Sequence, residues 1–313
     1  MKAGVDLGGT KIQTVLTDGS ADVLGASRRE TPTEGGPKAV AAEIVESVRA
    51  ALAEANAGVD ALTGIGVGAP GSIDVEQGIV TKVANIEGWD HPFPLAAALE
   101  EALGKPAAIG NDVSVAVEAE RVYGAGRSYD SFLGVFWGTG VGAGIVVDGR
   151  MLRGRGSAGE LGHMVSKPGG RRCACGLRGC VEAYSGRGAM EERARALARR
   201  RRTKLFHIQE KRGRPRLTSG IWARALDEHD ELALDLLERA VRALGVGIGS
   251  AVNLLDVEAV ILGGGLGLRL GQPWLDRIEE ATRKHLFFRE PPAFHLAELG
   301  DLGGAIGAGL LAP

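Results

Sequence analysis

The sequence predicts an α/β protein built from two similar domains. Three observations predict this: an excess of glycine, an alternation of strand-period and helix-period segments, and a strand, glycine turn, strand pattern that recurs 130 residues on. Glycine makes up 49 of the 313 residues and aromatic residues only 4%, against a usual glycine share of about 7%. So much glycine serves tight turns and close approach of backbone to a ligand. A ligand-wrapping α/β architecture follows.

Along the chain, Ala3-Gly4-Val5-Asp6-Leu7 is a short apolar strand. Gly8-Gly9-Thr10-Lys11 breaks it, and residues 12–16 resume a strand that ends on the hairpin signal Asp18-Gly19. The pairs Gly4/Gly134, Val5/Val135, Gly8/Gly138, Asp18/Asp148 and Gly19/Gly149 coincide at the offset of 130. Chance matches are common in a glycine-rich chain, but here the turn and the closing hairpin match in register, which predicts a degenerate internal duplication.

Between the copies, Ala39, Ile44, Val48 and Leu52 give near-helical spacing over 37–55, and 62–67 is a buried-strand run closed by Gly68-Ala69-Pro70-Gly71. Residues 94–103 read as a helix, 107–109 as a strand, and 113–123 as a helix whose start is flagged by Asn111-Asp112. After the second hairpin come an irregular stretch over 153–179, a helix over 190–202 and a long amphipathic helix from 230 to about 255. The strand 259–262 opens into Gly263-Gly264-Gly265, and 303–311 is a small-residue helix suited to close packing. The expected division is a smaller N-terminal domain of 1–112, to which 300–313 returns, and a larger one of 113–299.

A net charge of −2 provides no global basic field and argues against a protein that coats nucleic acid. No window approaches the roughly 20 apolar residues of a membrane span, and Met1-Lys2 leads straight into a strand pattern, so the expected location is the cytoplasm. Between Arg187 and Arg224, thirteen basic residues stand against three acids, with Arg199-Arg200-Arg201-Arg202 among them. This is either a solvated helix face and loop or an anion site for polyphosphate or nucleic acid.

The chemistry-bearing residues are few. Gly8-Gly9-Thr10-Lys11 and Gly138-Thr139-Gly140 are turns whose missing side chains let backbone N–H groups approach phosphate oxygens, and neither has the Gly-Lys-Ser/Thr ending of a P-loop. As the matching turns of a duplication they suggest a nucleotide clamp, with Gly263, Gly264 and Gly265 as a further wall against the nucleoside. All three cysteines, Cys173, Cys175 and Cys180, fall within eight residues and follow His163. Three thiolates and an imidazole make a closed set for structural, tetrahedral zinc, with no position left open for catalysis. The alternative, three buried free thiols, requires that clustering to be an accident. Glu160 and Glu182 flank the cluster, and carboxylates held beside a rigid loop suit sugar hydroxyls.

Asp6-Leu7-Gly8-Gly9-Thr10-Lys11, Gly68-Ala69-Pro70-Gly71, Asn111-Asp112, Gly138-Thr139-Gly140, Glu160-Leu161-Gly162-His163 and the run from Cys173 through Gly179-Cys180-Val181-Glu182 occur in that order. Together they resemble the ROK family of sugar kinases, repressors and open reading frames, its bacterial glucose kinases above all, over essentially the whole chain. The resemblance implies an actin-like, hexokinase-type ATPase fold, two duplicated α/β domains flanking a cleft that closes on ATP with Mg²⁺ and on a hexose. It also implies transfer of phosphate from ATP to the 6-hydroxyl of glucose, by an enzyme that forms a homodimer or higher homo-oligomer. Carried over position by position, it makes Asp112 the general base and puts Gly71, Asn85, Asn111, Glu160, His163 and Glu182 around the sugar.

In the same way the phosphate turns map onto Gly8, Gly9, Thr10 and Lys11 and onto Gly138, Thr139 and Gly140, and the adenosine-side turn onto Gly263, Gly264 and Gly265. Two departures bear on sugar preference. Ser114 stands where the family often continues Asn-Asp-x-Asn, and Ala84-Asn85-Ile86 stands where Pro-Asn-Leu is common. Mannose, fructose and N-acetylated hexosamines are the alternative substrates. A sugar-sensing repressor of the same family is expected to need a DNA-reading helix-turn-helix before the kinase-like body, whereas the first phosphate turn here begins at residue 8.

Overall fold

The computed structural model describes residues 1–83, 86–287 and 290–313. It divides into two compact units, Met1–Arg127 with Asp301–Pro313, and Ser128–Gly300. The first holds β1 (Lys2–Leu7), β2 (Lys11–Thr17), β3 (Gly25–Glu30), α1 (Gly36–Glu54), β4 (Gly64–Ala69), β5 (Ser72–Asp74), β6 (Ile79–Lys82), α2 (Leu95–Leu103), β7 (Ala107–Asn111) and α3 (Asp112–Tyr123). In the second are β8 (Phe132–Trp137), β9 (Val141–Val147), β10 (Arg150–Met151), α4 (Glu182–Ser185), α5 (Arg187–Ala198), α6 (Leu205–Lys211), α7 (Ser219–Asp227), α8 (Glu231–Leu255), β11 (Ala259–Gly263), α9 (Gly267–Leu270), α10 (Gln272–Arg283) and β12 (Ala293–Leu296). Finally, α11 (Gly303–Leu311) packs on β1, β4 and α3 of the first unit. The change of unit comes after Arg127, later than residue 112, because α3 packs on α11.

The two main sheets have the same build. Their strand orders are β3-β2-β1-β4-β7 and β10-β9-β8-β11-β12. In each, an antiparallel meander of three strands continues into two parallel ones. Strands β1 and β8 start and end 130 residues apart, and so do β2 and β9. The hairpins that close the copies differ. Asp148 and Gly149 both have positive φ, 50° and 71°, and form the two-residue turn between β9 and β10, as an Asp-Gly pair favours. Asp18-Gly19 instead opens a longer loop, in which the Asp18 carboxylate accepts from the Ser20 hydroxyl at 2.7 Å.

Each unit buries its own core. Val5, Ile12, Ile44, Trp89 and Leu99 are among the fully buried residues of the first, and Trp137, Trp222, Leu236, Leu244 and Leu262 of the second. Helix α11 lies so close to β4 that a Cβ on Gly66 would meet the backbone of Ala308. Asp230 caps α8 by accepting from the Ala233 N–H at 2.8 Å. The helix expected over 190–202 is α5, which starts at Arg187 and stops at Ala198. Four arginines in a row offer no apolar face to continue it, and Asp230 catches the chain at the Thr203 hydroxyl and the Lys204 N–H. No helix among the described residues is long and apolar enough to cross a membrane.

Candidate active site

In the first unit, β1 and β2 meet in the turn at Gly8, Gly9, Thr10 and Lys11, closed by Gly8 N–H on Lys11 C=O at 2.9 Å. Thr31 braces it, its hydroxyl donating to Gly8 C=O at 2.7 Å and its N–H to Thr10 C=O at 3.3 Å. Asp6 lies at the foot of this turn, near the end of β1. Burial pushes its carboxyl up, Lys11 offsets part of that, and Asp301 adds to it. The signal for it was an acid at a strand end before a double glycine. Gly71 has φ +91° in the turn from β4 to β5, and a Cβ there would land on Lys82 C=O, so the backbone itself calls for glycine. Asn85 lies outside the described residues.

At the junction of β7 and α3 it is Asn111 that caps the helix, its Oδ1 accepting from the N–H groups of Val113 and Ser114, both at 3.1 Å. Ser114 adds its hydroxyl to the same oxygen at 3.3 Å, so the departure from the family pattern joins the cap. Asn111 is left with its NH₂ group to offer to a ligand. Asp112 is the first residue of α3, half-buried, with Oδ1 accepting from Val113 N–H at 2.9 Å.

In the second unit the matching turn joins β8 to β9, with Gly138 N–H on Gly140 C=O at 3.0 Å. Glu182 Oε2 accepts from Val141 N–H at 2.9 Å. Gly263, Gly264 and Gly265 run against the end of β8: a Cβ on Gly264 would press on the Trp137 backbone at 2.6 Å, and one on Gly138 would lie 3.9 Å from Gly265 N. The two predicted nucleotide turns of this unit are therefore neighbours. Four residues of the basic stretch form ion pairs: Arg195 and Arg216 with Glu191, Arg201 with Asp235 and Arg224 with Glu228.

His163, Cys173, Cys175 and Cys180 come together, their donor atoms all within 4.8 Å of one another. Cys175 Sγ lies 3.7 Å from Cys180 Sγ, and Cys173 Sγ 3.7 Å from His163 Nδ1. A tetrahedron with zinc–sulfur bonds of about 2.3 Å has edges of about 3.8 Å, so the donor set fits that ion. The loop folds round through Cys173 N–H on Leu177 C=O at 2.8 Å and Gly176 N–H on Cys173 C=O at 3.0 Å. Burial pushes the Cys180 thiol up to about 12 and raises Cys173, whereas the Leu177 N–H lowers Cys175. With Nδ1 turned to the sulfurs, His163 directs Nε2 to Glu160, whose Oε2 is 3.8 Å away. One ring thus faces a metal position on one side and a carboxylate on the other.

A family model described as ROK family matches residues 2–313. The glucokinase of Thermotoga maritima is 35% identical over 268 residues, which are 84% of this chain and 81% of that protein. Among solved structures, the ROK hexokinase of Thermus thermophilus is similar with 36% identity and a TM-score of 0.79, over 100% of this chain and 98% of that one. A ROK family glucokinase from Streptomyces griseus, in complex with glucose and AMPPNP, is 30% identical with a TM-score of 0.84, over 99% of this chain and 98% of that one.

Proposed function

The chain belongs to the ROK family and has its actin-like, hexokinase-type fold, and we propose that it is a glucokinase, transferring the γ-phosphoryl group of ATP to the 6-hydroxyl of glucose. The observation that carries this reading is the near full-length similarity to a ROK glucokinase solved with glucose and an ATP analogue. An alcohol is a weak nucleophile, and phosphoryl transfer is mostly positioning and charge neutralisation. Asp112 accepts the proton of the sugar 6-hydroxyl as its oxygen bonds to the γ-phosphorus, and the bond from that phosphorus to the β-phosphate oxygen breaks to release ADP.

The Val113 N–H on Asp112 Oδ1 at 2.9 Å supports this role, since it fixes the carboxyl at the start of α3. Asn111 through its NH₂, Gly71, Asn85, Glu160, His163 through Nε2 and Glu182 through its second oxygen bind the sugar. Backbone N–H groups of Gly8, Gly9, Thr10 and Lys11 and of Gly138, Thr139 and Gly140 receive the phosphates, while Gly263, Gly264 and Gly265 face the adenosine. Magnesium accompanies ATP and neutralises phosphate charge, and Asp6, a half-buried acid beside Lys11, has the oxygen chemistry to hold it. Zinc on His163, Cys173, Cys175 and Cys180 is structural and fixes the segment that carries Glu160 and Glu182. The enzyme works in the cytoplasm as a homo-oligomer.

A coupled assay with ATP and a panel of hexoses tests the reading. Glucose is expected to have the highest kcat/KM. Fructose, mannose or N-acetylmannosamine ahead of it would overturn the glucose assignment.

A further inference from the structure

One charged side chain that the family pattern does not assign is built into the turn between β8 and β9. Arg187, the first residue of α5, donates from Nη2 to Thr139 Oγ1 at 2.8 Å and from Nη1 to Ser219 Oγ at 3.4 Å. Its backbone N–H bonds Gly138 C=O at 3.2 Å, and the N–H of Gly188 bonds Thr139 C=O at 3.1 Å. The segment before it is fixed as well, since Ser185 C=O accepts from Trp137 Nε1 at 2.6 Å. The guanidinium is therefore held against the turn by main chain and side chain together.

A guanidinium has five donors and no acceptor. Thr139 Oγ1 and Ser219 Oγ must each accept from it, and each hydroxyl keeps its own hydrogen for a further acceptor. Thr139 is exposed, at the tip of the turn. Ser219 opens α7, and its Oγ would lie 3.9 Å from a Cβ on Gly265, so it stands beside the other nucleotide turn. Arg187 forms no ion pair with a carboxylate among the described residues: Glu191, the acid one helical turn on, bonds Arg195, Arg216 and the Leu217 N–H and reaches Arg187 only through its field. Two hydroxyls poised to donate and one guanidinium that no carboxylate bonds directly make a receptor for an anion.

We propose that Arg187 is a positioning residue for the phosphates of the nucleotide: it orients the Thr139 and Ser219 hydroxyls to donate to phosphate oxygens and sets a fixed charge beside them. This rests on the reading of the turn at Gly138, Thr139 and Gly140 as a phosphate site. Calorimetric titration of the full-length protein with ADP and with adenosine tests it, using wild type, Arg187→Met, Arg187→Lys, Thr139→Val and the double variant Arg187→Met/Thr139→Val. Arg187→Met is expected to weaken ADP by roughly 10- to 100-fold, the span of a charge-assisted contact, with adenosine affinity and the glucose KM unchanged. Thr139→Val is expected to weaken ADP too, and the double variant to be much less impaired than the product of the single losses, since one residue acts through the other.

Unchanged ADP affinity in Arg187→Met, equal losses for ADP and adenosine, or multiplicative losses in the double variant would overturn the proposal. If Arg187→Met does not fold, Arg187→Lys decides in its place, because it keeps the charge but loses the fork. A loss confined to ADP then supports the proposal and unchanged affinity overturns it. Wild-type protein that binds no ADP would overturn the phosphate-site reading together with this one. Normal wild-type binding with an unaffected variant would overturn this one alone.

Discussion

Glu182 Oε2 receives the backbone N–H of Val141 at 2.9 Å, which fastens the residue two places past Cys180 to the turn between β8 and β9. The same carboxylate lies where a Cβ on Gly140 would go. The segment that closes the cysteine loop and the turn read as a phosphate site are therefore one mechanical piece.

Metal removal should show this coupling. The purified protein is expected to carry about one zinc per chain, from its four-donor set. Chelation is expected to lower the thermal midpoint and to weaken both sugar and nucleotide, since Glu182 belongs to both segments. Metal analysis without zinc in active, freshly purified protein would contradict it, as would a zinc-free protein with nucleotide affinity intact.

Gly140→Ala should force that carboxylate away from Val141. The expected result is a higher KM for ATP and a loss of about 1–3 kcal/mol of stability, the cost of an unmet hydrogen-bonding group with local overpacking. Urea unfolding and steady-state kinetics on the variant check both figures.

Asn111→Ala removes a cap that serves two backbone N–H groups. A loss of about 1 kcal/mol is expected, accompanied by a raised KM for glucose and an unchanged KM for ATP. Equal effects on both substrates would leave Asn111 with the cap alone.

Stability should fall in acid partly through Glu191. Burial pushes its carboxyl up, but Arg195, the Leu217 N–H and Arg216 outweigh burial and hold it below the ordinary value. A carboxyl lowered in the folded state stabilises fully at pH above its unfolded value, about 4.3, and the contribution is lost as pH falls through the lower folded value. Unfolding free energies measured across that window should decline less steeply in Glu191→Gln than in wild type.

Much of this was legible in the sequence where local chemistry decides the structure. The offset of 130 and the glycine turns after Leu7 and Trp137 locate β1, β2, β8 and β9, and the small residues of 303–311 mark a helix that must pack closely. The Asp148-Gly149 turn was readable from its φ requirement, while Asp18-Gly19 was not, because the Ser20 contacts and a longer loop override it. Strand β3, with Ser27, Arg28, Arg29 and Glu30, is a polar edge strand and lacks an apolar alternation to read. Helices α6 and α7 hid inside the basic stretch, where charge masks periodicity. The cysteine spacing declared the donor set that Cys173, Cys175 and Cys180 form with His163. The two faces of His163, the tie from Glu182 to Val141 and the fork of Arg187 on Thr139 and Ser219 depend on tertiary contacts between distant segments, which no spacing encodes.

The glucokinase reading stands or falls most directly on Asp112. In Asp112→Asn the amide keeps the shape of the side chain at the start of α3 but cannot take the proton of the sugar hydroxyl. Turnover of ATP and glucose is predicted to drop by about 10²- to 10⁴-fold, with the Kd for glucose close to that of wild type. A near-normal kcat in the variant would contradict it.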